Sequence, residues 1–333
     1  MARQCPGRYV RLVWRMALLV CRGRPALSDG GPGLRLAVIT VLVLSVAGCT
    51  AGGATFDAPP SAAGSPHVAS LAPSTQSAAA LVQRGIDLVG EGQGNEAIAL
   101  FTKAIELDPN LASAYYGRGV AYGEAEVDLS LTDFTTAIEL DPTVARVFYN
   151  RGIAYYTKGM LDSALADYTK AIELDPTDAA FFYNRGYLYD NQGKVDLALA
   201  DYTKAIELDP LFDRPLAHRA ILYYGQGNLD LAIADYTRAI ELDPTDATLF
   251  FNRGIAYGVQ GKFDLALDDF TKAIALDPTD PEAFYNRAMA QQSRGDHAGA
   301  GRDLDRALSL ASDPGLVSAI KAYKCAQDLG CAP

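Results

Sequence analysis

The tripeptide Leu-Asp-Pro recurs along most of this 333-residue chain, with its prolines at Pro109, Pro142, Pro176, Pro210, Pro244 and Pro278. The steps between them are 33, 34, 34, 34 and 34 residues. A period of that size specifies stacked like units, each too small to bury its own apolar face. Such a stack presents a long surface, so function is sought first in what the surface holds and only then in chemistry.

One unit, residues 145–178, shows what repeats. Leu161, Ala164, Leu165, Tyr168, Ala171 and Ile172 fall on one stripe of an amphipathic helix. The stripe stops at Asp175-Pro176, because a residue before proline is pushed out of the helical region. Thr177 and Asp178 then offer N-caps for the next helix. Phe148, Gly152 and Tyr155 mark an earlier helix, and Gly159 follows where a helix end favours glycine. The spacing predicts helix, short turn, helix, with Gly152 and Ala164 small enough for close approach and Tyr155 and Tyr168 filling the space beside them.

Gly152, Tyr155, Ala164, Tyr168, Ala171 and Pro176, with their counterparts in the other units, resemble the tetratricopeptide repeat (TPR) family. The first unit reads Gly85, Leu88, Ala97, Phe101, Ala104, Pro109, and the sixth reads Gly254, Tyr257, Ala266, Phe270, Ala273, Pro278. The resemblance implies an all-α superhelical solenoid of about seven helix-turn-helix repeats over residues 78–312, with a capping helix and tail over 313–333. Two units depart from the pattern. The second lacks one residue at its inter-helix turn, which predicts a tighter or irregular turn there. The seventh is degraded to Ala288, Gln291, Ala300, Leu304 and Ala307, with its proline displaced to Pro314, as a terminal unit would be.

The N-terminal segment reads differently. Residues 36–46 form an apolar run preceded by Arg35, too short to span a bilayer and suited to a signal-peptide core. It ends in Val46-Ala47-Gly48-Cys49, which resembles a bacterial lipobox. The resemblance implies removal of residues 1–48, lipid attachment at Cys49 and a position on the exported side of a cell membrane. The competing reading is an ordinary cleavage site that happens to precede a cysteine. Residues 1–33 are long and arginine-rich for a simple basic leader, which makes Met16 an alternative start. Thr50 follows the cysteine where, in Gram-negative lipoproteins, an aspartate signals inner-membrane retention; its absence favours the outer membrane, periplasmic face, in a cell that has one. Residues 49–77 are rich in Ala, Ser, Gly and Pro and read as a flexible tether, with a reach of roughly 30 Å.

Removing the seven arginines and one aspartate of residues 1–48 leaves 22 basic and 39 acidic residues, a net charge of −17. That excess disfavours nucleic acid, whose binding neutralises phosphates, and electrostatic adhesion to a membrane. Much of the acid sits in repeated Ile-Glu-Leu-Asp helix ends, where a solvated face suffices to explain it. Cys325 and Cys331 lie six residues apart after the repeats. An exported compartment permits a disulfide between them, tying the tail to the last helix; the alternative is two free thiols.

No catalytic or metal-binding spacing is present in the sequence, and its three histidines, His67, His218 and His297, are scattered. The expectation is a non-enzyme that needs no cofactor. Two polar rows recur. Arg84, Arg118, Arg151, Arg185, Arg219, Arg253 and Arg287 precede the key glycine or alanine, and Asp133, Asp167, Asp201, Asp235, Asp269 and Asp303 precede the aromatic or leucine of the second helix. They form either an Arg–Asp ladder within the stack or a line of anion-binding arginines.

Asn150, Asn184, Asn252 and Asn286 sit one place before the arginines, with His218 replacing asparagine in the fifth unit. In the TPR family this part of the first helix faces a concave groove, where asparagines can bond an extended peptide. The lysines of the family's carboxylate clamp are missing here. Tyr116, Tyr149, Tyr156, Tyr183, Tyr187, Tyr224, Phe251 and Tyr285 occupy groove offsets too, and Asp190 interrupts the series between Tyr156 and Tyr224. These rings either line a peptide groove or pack adjacent first helices together.

The build as a whole resembles NlpI-type bacterial TPR lipoproteins, envelope adaptors that bring cell-wall hydrolases and proteases together. It also resembles TPR lipoproteins that assist outer-membrane protein insertion or pilus and secretin assembly. Self-association through exposed repeat ends is a further alternative, and an enzyme is the least favoured.

Overall fold

A computed structural model describes residues 77–327 of the chain. The leader, the tether with Cys49, and Cys331 lie outside the described residues. The described residues form fifteen α-helices and no strand. They fall into two compact units that divide at Leu208–Asp209.

The first unit holds α1 (Ala78–Gly90), α2 (Gly94–Leu107), α3 (Ala112–Tyr122), α4 (Val127–Leu140), α5 (Ala145–Thr157), α6 (Leu161–Leu174), α7 (Ala179–Asn191) and α8 (Val195–Leu208). Each odd-numbered helix packs along the even-numbered one after it, and α3, α5 and α7 also pack on the second helix of the preceding hairpin. The second unit repeats the scheme with α9 (Asp213–Gly225), α10 (Leu229–Leu242), α11 (Ala247–Val259), α12 (Phe263–Leu276), α13 (Pro281–Ser293) and α14 (His297–Leu310). It ends with α15 (Pro314–Ala326), which packs on α14. The predicted capping helix is therefore present.

The core of each of the first six hairpins is a ring of the second helix laid on a small residue of the first; the seventh has Leu304 in place of the ring. Tyr168 is buried against Gly152, where an added Cβ would come 2.7 Å from the ring. Ala164 and Ala171 are fully buried one helical turn either side of Tyr168. Around this contact Phe148, Tyr149, Ile153, Phe181 and Leu188 complete one apolar cluster that spans two successive hairpins. Burial of such side chains contributes roughly 1.5–3 kcal/mol each, and it is realised only when a neighbouring hairpin is present.

The repeated Asp-Pro-Thr-Asp turns divide their labour. Asp175 leaves the helix in an extended conformation, and its Oδ1 accepts from both the backbone N–H and the hydroxyl of Thr177, at 2.9 and 2.6 Å. The N-cap of α7 is Asp178, whose carboxylate accepts from the Ala180 N–H at 3.0 Å. Thr177 is thus a turn residue and not the cap that its sequence position also allows. Within most hairpins the turn is a glycine with φ between 70° and 87°, such as Gly159. The second hairpin, one residue short, differs as expected: α3 ends at Tyr122, Gly123 takes φ 58° with ψ −150°, and the Ser130 hydroxyl donates to the carbonyls of Gly119 and Gly123.

Candidate functional site

The arginine and aspartate rows meet as a ladder. Arg118, Arg151 and Arg185 in the first unit donate two hydrogen bonds each, through Nε and Nη2, to Asp133, Asp167 and Asp201. In the second unit Arg219, Arg253 and Arg287 do the same to Asp235, Asp269 and Asp303. All twelve distances are 2.7–2.9 Å. Several arginines reach further, to a threonine of the preceding hairpin: Arg118 to Thr102 at 3.2 Å and Arg253 to Thr237 at 3.1 Å. The Arg151 guanidinium also lies 5.7 Å from the Phe148 ring centre and 5.6 Å from that of Tyr155. The hydrogen bonds donated to aspartate raise the pKa of Arg118, Arg151, Arg185 and Arg253, although burial opposes this. These guanidiniums have their planar donor faces occupied by the fold, so they form the ladder and not a line of anion sites. The first hairpin has Leu100 in place of the aspartate, and Arg84 instead lies 3.8 Å from Glu91 on the surface.

The proposed groove residues separate into two sets. Tyr116, Tyr149, Tyr183, Tyr224, Phe251 and Tyr285 are buried, as are Asn150, Asn252 and Asn286. The Asn150 amide donates to the Tyr116 hydroxyl at 3.1 Å, and the Asn184 amide donates to the Tyr149 hydroxyl at 2.7 Å. In the second unit the Asn286 amide donates to the Glu282 carbonyl at 2.8 Å, Phe251 packs on Phe270 with centroids 5.8 Å apart, and Tyr285 stands edge-on to Tyr323. His218 is half-buried on α9; burial, reinforced by Arg214, pushes its pKa down to about 4, which leaves it neutral at pH 7. Asn150 and Asn184 therefore join successive first helices, as Tyr149 does through Phe181, while Tyr116, Tyr183 and Phe251 pack on the second helix of their own hairpin. Tyr149 touches the next first helix at Phe181 and its own second helix at Tyr168, so packing claims it before solvent does.

What remains accessible in the first unit is a smaller cluster on α5 and α7. Tyr156, Asn184 and Tyr187 are half-buried and Asn191 is exposed. The rings of Tyr156 and Tyr187 meet edge-on, with centroids 6.0 Å apart, and Tyr183 lies 6.4 Å beyond Tyr187. The Asn191 amide donates to the Tyr156 hydroxyl at 3.3 Å, and both groups hydrogen-bond with the Tyr187 hydroxyl. Asp190 sits beside this cluster, half-buried, and its stabilising neighbour is the Tyr202 hydroxyl of α8. Burial raises its pKa to about 6, with Tyr202 pulling the other way. Asn191 was missed by sequence reasoning; its signal was its place next to Asp190, where the repeat pattern breaks.

Among the described residues no group of three or more His, Cys, Asp or Glu side chains is placed to hold a metal ion. No described helix is long and apolar enough to cross a membrane. Cys325 is exposed on α15, in a shallow hollow lined also by Pro314, Val317, Ser318 and Lys321.

These repeats define a class of helical-hairpin scaffold. Family profiles for "TPR repeat" match residues 87–125 and 220–261, and profiles for "Tetratricopeptide repeat" match 145–178, 179–212, 247–280 and 270–302. The chain belongs to the tetratricopeptide repeat family, whose members are generally non-catalytic scaffolds for protein–protein interaction. Among solved structures it is similar to YrrB, described as a TPR protein with an unusual peptide-binding site, at 28% identity over 57% of this chain and 97% of that one, with TM-score 0.52. It shares its fold with the C-terminal part of a TPR protein from Cytophaga hutchinsonii, at 21% identity over 72% and 98% with TM-score 0.59. It also shares it with pilF of Pseudomonas aeruginosa, at 21% identity over 66% and 97% with TM-score 0.57. Comparison with curated proteins gives no match.

Proposed function

We propose that this chain is a lipid-anchored scaffold of the bacterial cell envelope that holds an extended segment of a partner protein against the first-helix face of residues 78–208. The observation that carries the binding face is the open Tyr156–Tyr187–Asn191 cluster, which combines ring area with mutually bonded polar groups that a peptide backbone can share. The similarity to YrrB, a protein described by its peptide-binding site, supports the class of ligand. The lipobox at Val46–Cys49 and the Ala/Ser/Gly/Pro tether support attachment at Cys49 and an exported, NlpI-like adaptor role.

Affinity capture with crosslinking from the native envelope tests the binding face. Tyr156→Ala with Tyr187→Ala is expected to lose the captured partner while keeping the helical circular dichroism spectrum. An unchanged capture profile would remove the cluster from the binding face. Anchoring is tested separately: Cys49→Ala is expected to move the chain from the membrane fraction to the soluble fraction.

A further inference from the structure

Six aspartates buried in this fold are each gripped by an arginine through paired hydrogen bonds. Asp190 is set into the α7–α8 hairpin as well, but its stabilising neighbour is a phenol, Tyr202, and no cation among the described residues contributes to its electrostatic environment. The arginines on the neighbouring helices face other carboxylates: Arg146 binds Asp178, Arg151 binds Asp167 and Arg185 binds Asp201. A carboxylate withdrawn from water normally acquires a counter-charge or gives up its own charge. Among the described residues the first is missing.

The surroundings fit a counter-charge from outside. Tyr187 lies one helical turn before Asp190 on α7, Tyr156 packs against Tyr187, and Asn191 links the two hydroxyls. Tyr183, Tyr187 and Asp190 follow at i, i+4 and i+7 and so share one face of α7, and Asp190 lies within electrostatic reach of the Tyr202 hydroxyl. Aromatic faces beside a carboxylate attract an ammonium or guanidinium through both the ring quadrupole and the full negative charge.

We propose that Asp190, with the rings of Tyr156 and Tyr187, forms a subsite for the cationic side chain of a lysine or arginine in the bound segment. The proposal rests on the peptide-binding face described above and names its specificity. At the equivalent offset the neighbouring repeats carry Tyr156 and Tyr224, so the subsite belongs to this repeat alone in that series.

Pools of short, terminally blocked peptides, randomised except for a fixed central residue, test it against the immobilised full chain. Lysine and arginine pools are expected to bind about tenfold better than the glutamine pool. An acetyl-lysine pool, which keeps the stem and loses the charge, should fall to the glutamine level. Asp190→Asn should erase the preference for lysine and arginine while leaving the leucine pool unchanged. Absence of a basic preference in the wild type, or a preference that survives Asp190→Asn, overturns the subsite and leaves the peptide-binding face standing. Failure of every pool to bind overturns the peptide-binding reading and the subsite with it. The acetyl-lysine comparison needs no variant, so the test does not depend on how Asp190→Asn folds.

Discussion

Asp201 and Asp190 belong to the same helical hairpin and live under opposite regimes. Asp201 receives two charge-assisted hydrogen bonds from Arg185, each 2.8 Å long, and the same pair recurs in five other hairpins. Asp190 has a phenol for a neighbour and no counterpart in the adjoining repeats. The ladder is copied because every hairpin needs it. A feature that appears once is not one that stacking requires of every hairpin. Periodicity thus separates what maintains this fold from what distinguishes its surface.

Breaking a ladder pair should have the largest effect. Arg151→Ala leaves the Asp167 carboxylate buried without a partner and frees Thr135, which Arg151 also reaches at 3.4 Å. The expected loss is about 3–5 kcal/mol, seen as a lower denaturant midpoint by circular dichroism. Replacing both partners, Arg151→Met with Asp167→Leu, should recover most of it, because no stranded charge remains. Equal losses in the single and double variants would mean that the guanidinium stabilises through Phe148 and Tyr155, not through the carboxylate.

Asp190→Asn should move stability the other way, and only over part of the pH range. The folded-state pKa of about 6 exceeds the ordinary carboxyl value of 3.8, so the folded chain binds more protons than the unfolded one between these values. Stability therefore falls as pH rises through that window and stays reduced above it. The asparagine variant lacks the penalty. It should match the wild type below about pH 4 and exceed it at neutral pH by about 1–3 kcal/mol, the upper end being the full shift and the lower end allowing for the half-open side chain. A variant that is less stable at neutral pH would show that an unseen cation already serves Asp190.

The hairpins and their ladder were legible in the sequence because they obey one period. Gly152, Ala164 and Tyr168 recur in kind, and recurrence at a fixed offset implies a shared environment. Depth was not legible. Tyr149 and Tyr156 lie on the same helix seven residues apart, yet Tyr149 packs on Phe181 with ring centres 4.8 Å apart while Tyr156 stays half-open. Both rings meet α7, Tyr149 at Phe181 and Tyr156 at Tyr187, but Tyr149 also packs on Tyr168 of its own second helix, with ring centres 5.9 Å apart. The asparagines were ambiguous for the same reason: their partners, Tyr116 for Asn150 and Tyr149 for Asn184, lie a whole repeat earlier and become visible only once hairpins stack.

The close approach within a hairpin offers a smaller test. An added Cβ at Gly152 would stand 2.7 Å from the Tyr168 ring, whereas the fifth hairpin already carries Ala220 and Tyr236, both fully buried, at the same two offsets. The contact can therefore open, at some cost. Gly152→Ala should destabilise by about 1–2 kcal/mol, and Tyr168→Leu added to it should cost less than Tyr168→Leu alone, since Ala288 and Leu304 coexist fully buried in the seventh hairpin.

The shortened second hairpin gives the finest contrast. Ser130 occupies the offset where Ala97, Ala164, Ala198, Ala232, Ala266 and Ala300 are all fully buried, and it is fully buried too. Its hydroxyl donates to the Gly119 carbonyl at 2.9 Å and to the Gly123 carbonyl at 3.0 Å, bridging the end of α3 to the turn. The missing residue removes the standard glycine turn, and the serine ties down the carbonyls that this leaves. Ser130→Ala should therefore cost about 1 kcal/mol by urea unfolding, although alanine fits the site in every other hairpin. Inserting one glycine after Gly123 restores the regular spacing, and in that background Ser130→Ala should become neutral or stabilising. If the cost persists after the insertion, the hydroxyl serves the helix pair itself and not the shortened turn.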